Sequence, residues 1–310
     1  MPKRNPPLLP FIATEQCALF TDIFGYVREM GRIGLFAGVS GCGKSEVARH
    51  YAATQPRMTA NGMREVLYCE LRQSTKTDRA LYNKLNAIIL RLPQPENLTG
   101  SVAEAKTVDL VRCYRYQALI FDEFGFLDRS GLEAIRTLYD ALDIPIMLIT
   151  MPDRVYRLRK VDALRTRIVK PRVFQPLTPT QLCNEILPRV SPESHLRFDP
   201  KQPDAMAMAK TPHLHARCGR FRLVVEILEQ ANNLIELSCE NRRRHQVSGV
   251  PEAQLPPIVR FNEQLIEIAA AQVEGALGQA KKDSPSKEED SPSEDDDAED
   301  FMALLSDERT

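Results

Sequence analysis

Short apolar runs alternate with stretches of helical period along the first half of the chain. Residues 13–30, ATEQCALFTDIFGYVREM, repeat apolar positions at the spacing of a helix face. IGLFA (33–37) then reads as a buried strand, followed by the loop GVSGCGKS and a helix to about Ala53. EVLYCEL (65–71) is a second predicted strand. After polar RQSTKTD, residues 79–92 form an amphipathic helix stopped by Pro93 and Pro95. A third helix is expected over 102–115, a third strand at ALIFDE (118–123), a helix over 130–142 and a fourth strand at IPIMLIT (144–150). RVFQP (172–176) is the expected fifth strand. Strands alternating with helices at this spacing predict an α/β fold, a parallel sheet covered on both faces. Past Leu177 only helical periods remain, in TPTQLCNEILPRV, PDAMAMAK, GRFRLVVEILEQANNLIELS and VRFNEQLIEIAAAQVEGAL.

Composition narrows the setting. The chain has 310 residues and is 43% hydrophobic, enough for a sizeable core. Its seven cysteines stand singly with no C-x-x-C pair, which argues against a disulfide framework or zinc ribbon and suits a reducing, cytoplasmic setting. MPKRNPPLLP has a basic flank, but its prolines interrupt any apolar core, so no signal peptide is expected. No apolar run approaches a membrane span, and no membrane partner is expected. His213 and His215 stand two apart with no third ligand evident, a weak case for a metal.

Charge divides the chain. Residues 283–310 carry twelve acids and two bases, −10, so the −1 of the whole leaves +9 on residues 1–282. The tail repeats DSPSKEE and DSPSEDD back to back, a low-complexity acidic segment predicted to be disordered. Its EDFMALLSDE embeds apolar residues among acids, either a docking motif or a solubilising end, and the tail could also compete with DNA for the basic body. The opposite extreme is residues 154–172, with eight Lys or Arg against Asp162 alone.

One loop carries definite chemistry. Gly38-x-x-x-x-Gly43-Lys44-Ser45 is a complete Walker A motif between a predicted strand and helix. Its glycines, Gly41 included, let successive N–H groups face phosphates; Lys44 reaches the β- and γ-phosphates of ATP, and Ser45 offers an oxygen to Mg2+. Cys42 occupies a variable loop position, and Glu46 follows in the first helical turn. LIFDE is the matching Walker B strand: Asp122 holds Mg2+ through water and Glu123 polarises the attacking water. An acid at position 123 favours turnover over binding alone.

The order Walker A, Walker B, strand ending in a polar residue, arginine-rich segment and helical lid resembles the AAA+ ATPases over about residues 31–240. That resemblance implies an AAA+ P-loop core with a small helical lid, to which the composition adds a disordered acidic C-terminal tail. It divides the chain into an N-terminal segment (1–30), the core (31–176), the lid (177–245), a C-terminal helical segment (246–282) and the tail (283–310). It puts Thr150 at the sensor 1 position, and Arg167, with Arg165 second, where an arginine reaches the neighbouring subunit's γ-phosphate. GRFR (219–222) resembles the start of the lid helix carrying sensor 2, at Arg222.

Within the superfamily, GRIGLFAGVSGCGKSEVARHYA and ALIFDEFGFLDRSGLEAIRTLYDALDIPIMLITMP are most similar to the TnsC/TniB/MuB group of DNA-transposition regulators. That implies an ATP-bound homo-oligomer, helical or ring-like, on double-stranded DNA, recruiting a transposase and possibly a target-selection protein. Two other AAA+ readings stay open: a signalling or secretion-type assembly factor that never touches DNA, and a replicative helicase loader. In the transposition group the region after the second strand faces DNA. Here it supplies Arg72, Ser74, Thr75, Lys76, Thr77 and Arg79, suited to backbone contacts without base readout. The plainer alternative for that loop is a polar connection with a helix cap at Thr77 or Asp78. NRRRHQ (241–246) is a second basic cluster.

Overall fold

The structure, a computed structural model, describes residues 11–54, 65–190, 194–217, 219–248 and 250–283. The acidic tail and its apolar motif, like the proline-rich first ten residues, lie outside the described residues. The described chain falls into two compact units. One comprises Glu15–Val39 and Lys44–Gln175, the other residues 11–14, Ser40–Gly43 and the chain from Pro176 onward.

The first unit is a five-stranded parallel sheet in the order β2-β3-β4-β1-β5. Its strands are β1 (Ile33–Ala37), β2 (Val66–Glu70), β3 (Ala118–Asp122), β4 (Ile146–Thr150) and β5 (Ile168–Val173). Strands β1, β3 and β4 are buried along their whole length, as expected for strands covered on both faces. Helix α1 (Glu15–Glu29) precedes β1 and α2 (Lys44–Thr54) follows it. Helices α3 (Asp78–Leu90) and α4 (Gly100–Cys113) connect β2 to β3, and α5 (Arg129–Leu142) connects β3 to β4. The core on one sheet face runs through Leu35, Leu67, Phe121 and Leu148 of the strands to Leu85 of α3 and Ile135 of α5, each buried side chain contributing about 1.5–3 kcal/mol.

Strand β5 begins at Ile168, four residues before the expected RVFQP run. It pairs with β1 in register Ile33↔Ile168 and, after an irregularity, Ala37↔Val173. Pro171 and the flanking charges disguise it in sequence, but β5 is an edge strand, where a missing N–H is tolerated. Residues 152–160 form a 3₁₀ run (Pro152–Lys160) rather than an α-helix, followed by α6 (Asp162–Arg165). Val155 and Leu158 anchor that run in the core while Arg159 and Lys160 stay exposed.

The second unit is helical, and among the described residues no strand follows Val173. α7 (Pro179–Gln181) opens with a capping box between Thr178 and Gln181 and leads into irregular turns to Arg189. α8 (Ala205–His215), α9 (Phe221–Val247) and α10 (Glu263–Asp283) then share one core. Leu265, Ile266, Ala269 and Ala270 of α10 are buried there with Met208, Val224 and Leu228. The segment set apart in sequence as 246–282 thus packs with α8 and α9. Among the described residues no helix is long and apolar enough to cross a membrane.

Candidate functional site

In an open parallel α/β sheet, ligands bind beyond the carboxyl ends of the strands. The loop leaving β1 begins where Gly38 N–H donates to the Thr150 carbonyl at the end of β4, 3.1 Å. Gly41 (φ +80°) and Gly43 (φ +105°) take left-handed backbone that a side chain would strain. Lys44, the first residue of α2, is buried, and its ammonium donates to the carbonyls of Gly38 (2.5 Å) and Val39 (3.0 Å). The loop thus wraps its own lysine at a helix N-terminus, where N–H groups and the helix dipole favour a phosphate. Ser45 is half-buried beside it, and Cys42 is buried. Glu46 is exposed and paired with Arg49 at 2.8 Å.

Asp122 ends β3, fully buried. Its Oδ2 accepts from the Tyr68 hydroxyl at 2.6 Å, while its Oδ1 is buried without a hydrogen-bond partner. Leaving such an oxygen unsatisfied costs about 1–3 kcal/mol. A hydrated divalent cation supplying a water donor fits that orphan, and the serine and carboxylate oxygens are the hard donors magnesium takes. Glu123 follows with left-handed backbone (φ +58°), which turns it out of the strand. Burial pushes its carboxyl above the usual range, the Lys44 and Arg154 charges pull it back, and Asp122 and Asp153 oppose them.

Thr150 is fully buried, and its Oγ1 has no hydrogen-bond partner. Gly125 is the nearby close approach: a Cβ there would stand 2.6 Å from Thr150 Oγ1 and from Cβ and Cδ of Arg154. The Arg154 guanidinium lies 4.4 Å from the centroid of the Phe126 ring, a cation–π contact. Arg154 and Tyr68 were not singled out by sequence reasoning. Arg154 was one charge among eight, and nothing local marks a strand tyrosine whose hydroxyl reaches the neighbouring strand.

The arginines expected to act on a neighbour lie just before β5. Arg167 is ion-paired with Asp140 of α5 at 3.1 Å and also donates to the Ala163 carbonyl. Arg165 is exposed, with Asp162 3.8 Å away. In the helical unit, the N–H of Arg222 donates to the Gly41 carbonyl at 3.0 Å, and its side chain is exposed. His215 bonds Glu274 at 3.0 Å, and among the described residues no His/Cys/Asp/Glu cluster could hold a metal.

The loop between β2 and α3 separates into two kinds of residue. Thr75 is buried, its hydroxyl donating to the Arg72 carbonyl (2.7 Å) and accepting from the Arg72 N–H (2.8 Å). Thr77 caps α3, accepting from Ala80 N–H, and Arg79 holds Leu98 O (2.8 Å) and Asn97 Oδ1 (2.7 Å). Arg72, Ser74 and Lys76 face solvent, with Arg72 3.3 Å from Glu70. The loop starts against the acid pair: Leu71 N–H donates to the Asp122 carbonyl at 2.8 Å, and Asp128 N–H to the Lys76 carbonyl at 3.0 Å.

Residues 27–158 match a family described as an AAA domain. No curated protein matches the chain. Among solved structures it is similar to the Aeropyrum pernix ORC1 protein in complex with DNA, with 17% identity and TM-score 0.61 over 100% of this chain and 81% of that one. It is also similar to Drosophila ORC bound to DNA (16% identity, TM-score 0.51, 92% of this chain and 66% of that one). Cdc6p from Pyrobaculum aerophilum gives 14% identity and TM-score 0.50 over 100% and 98%. At these identities the likeness is one of fold. Together with the match to an AAA domain over residues 27–158, it supports hydrolysis of ATP to ADP and phosphate at this site. Lys44, Asp122, Glu123 and Thr150 fall within the matched residues; Arg165, Arg167 and Arg222 lie beyond them.

Proposed function

We propose that this ATPase is a duplex-DNA-binding regulator of transposition that assembles with copies of itself on DNA and recruits a transposase to it. The observation that carries the reading is the backbone bond from Leu71 to Asp122. It joins the basic β2–α3 loop to the backbone of the acid that ends β3, which supports coupling of a DNA contact there to nucleotide state. DNA binding is also supported by the similar ORC1 and ORC structures, both DNA complexes. The transposition assignment rests on the resemblance of the Walker A and Walker B blocks to the TnsC/TniB/MuB group.

In this reading Gly38, Gly41, Cys42, Gly43, Lys44, Ser45 and Glu46 form the phosphate cradle, and Lys44 leaves its loop carbonyls for the β- and γ-phosphates. Ser45 and Asp122 hold magnesium, which when bound neutralises charge developing on the phosphates. Glu123 orients the attacking water and accepts its proton, while the buried hydroxyl of Thr150 supplies a directed dipole. Arg167, or Arg165 beside it, completes the site of an adjoining copy, and Arg222 takes the sensor 2 role that the AAA+ resemblance gives it. Arg72, Ser74 and Lys76 meet DNA phosphates; Thr75, Thr77 and Arg79 hold the loop in shape.

Electron microscopy of the chain with duplex DNA and a slowly hydrolysed ATP analogue tests the assembly. Ordered rings or filaments are expected, absent without nucleotide, and dispersed particles in every condition would end the reading. Affinity capture of that assembly should retain a transposase; a helicase retained instead would favour the loader reading.

A further inference from the structure

Tyr68 and Glu70 share one face of β2 because side chains alternate along a strand, and Glu70 is in register with Asp122 on β3. From that face the Tyr68 hydroxyl reaches across to Asp122 Oδ2 at 2.6 Å. A carboxylate only accepts, so the phenol is the donor. Arg49 of α2 packs against the ring, its guanidinium carbon 5.6 Å from the centroid. Arg49 is itself held by Glu46 at 2.8 Å and lies 3.7 Å from Glu70. It stands one helical turn beyond Ser45, on the same side of α2. The tyrosine is therefore fixed at both ends, by a cation on its ring and a carboxylate on its oxygen. With Oδ2 occupied, the second oxygen of Asp122 is left buried and unpartnered.

We propose that Tyr68 is a positioning residue for the metal site: it holds the Asp122 carboxylate in the one orientation that leaves Oδ1 open to a magnesium-bound water. The proposal rests on the reading of Asp122 as the acid that holds magnesium. Hydrogen-bond partners of metal-holding groups set their orientation, and losing one typically weakens the metal about 10–100-fold.

Tyr68→Phe keeps the ring and its contact with Arg49 and removes only the oxygen. Binding of a fluorescent ATP analogue to the full chain is followed through a Mg2+ titration and in EDTA. The expected result is a half-saturating Mg2+ concentration raised about 10-fold, with affinity in EDTA unchanged. In an Asp122→Ala background the same substitution should add nothing, because Tyr68 acts through that acid. An unshifted Mg2+ midpoint overturns the proposal, as does an equal loss in EDTA, the mark of a merely structural tyrosine. A full further loss in the Asp122→Ala background does the same. A wild-type chain binding nucleotide with no Mg2+ dependence overturns the assignment of Asp122 itself, and the proposal with it.

Discussion

Arg167, the leading candidate for a trans-acting arginine, is ion-paired at 3.1 Å with Asp140 of its own chain, both side chains partly exposed. Pairs of that exposure are worth about 0–1 kcal/mol, so an adjoining nucleotide could capture the guanidinium at small cost. Arg167→Ala should keep ATP binding and lose turnover by roughly 10³ or more. Asp140→Asn should shift turnover by less than about 5-fold, since it frees the arginine at little cost. Steady-state hydrolysis with DNA present checks both, and near-normal turnover of Arg167→Ala removes it from the role.

Lys44→Ala should abolish nucleotide binding, because the loop is built around that ammonium. Glu123→Gln should bind ATP normally and slow hydrolysis by about 10²–10⁴, trapping the ATP-bound assembly. Equilibrium binding beside single-turnover hydrolysis separates the two.

The raised Glu123 carboxyl predicts an acid limb in the pH–rate profile above the ordinary glutamate range, with turnover falling as pH drops. Because Arg154 lowers that value, Arg154→Ala should move the limb to higher pH; Asp153→Asn should move it lower. The stability sign is opposite: a folded value above the unfolded one means the native state binds the extra proton, so this group stabilises the fold as pH falls. A limb at the same pH in both variants would dissociate it from Glu123.

Gly125→Ala places a methyl 2.6 Å from Arg154 and Thr150 atoms. Displacing Arg154 from Phe126 should cost about 1–3 kcal/mol and disturb the site. The unfolding temperature and the hydrolysis rate should fall together, and a fully active, equally stable variant would contradict that packing.

In the β2–α3 loop, Arg72→Ala with Lys76→Ala should weaken duplex binding on every sequence and lower the salt slope by about 2. Thr77→Ala should instead cost about 1 kcal/mol of stability and leave that slope alone, since its oxygen caps α3. Binding measured across a salt series distinguishes them.

The nucleotide site was legible because it is local. Gly38, Gly43, Lys44 and Ser45 stand in one loop, and Asp122 ends a strand that Glu123 follows, so spacing alone marked both as candidates. The strand–helix alternation was readable for the same reason, since period and burial are written into each element. Tertiary structure decided what depends on a neighbour. It made β5 an edge strand despite Pro171, and it drew α10 into the core of α8 and α9. It buried Thr75 and gave exposed Thr77 and Arg79 local hydrogen-bond partners, while leaving Ser74 and Lys76 facing solvent. It also brought the Tyr68 hydroxyl to Asp122 and the Arg167 guanidinium to Asp140, residues 54 and 27 positions apart. A hydrogen bond or ion pair between distant residues is set by which strands and helices become neighbours, and no local pattern of polar and apolar positions encodes that.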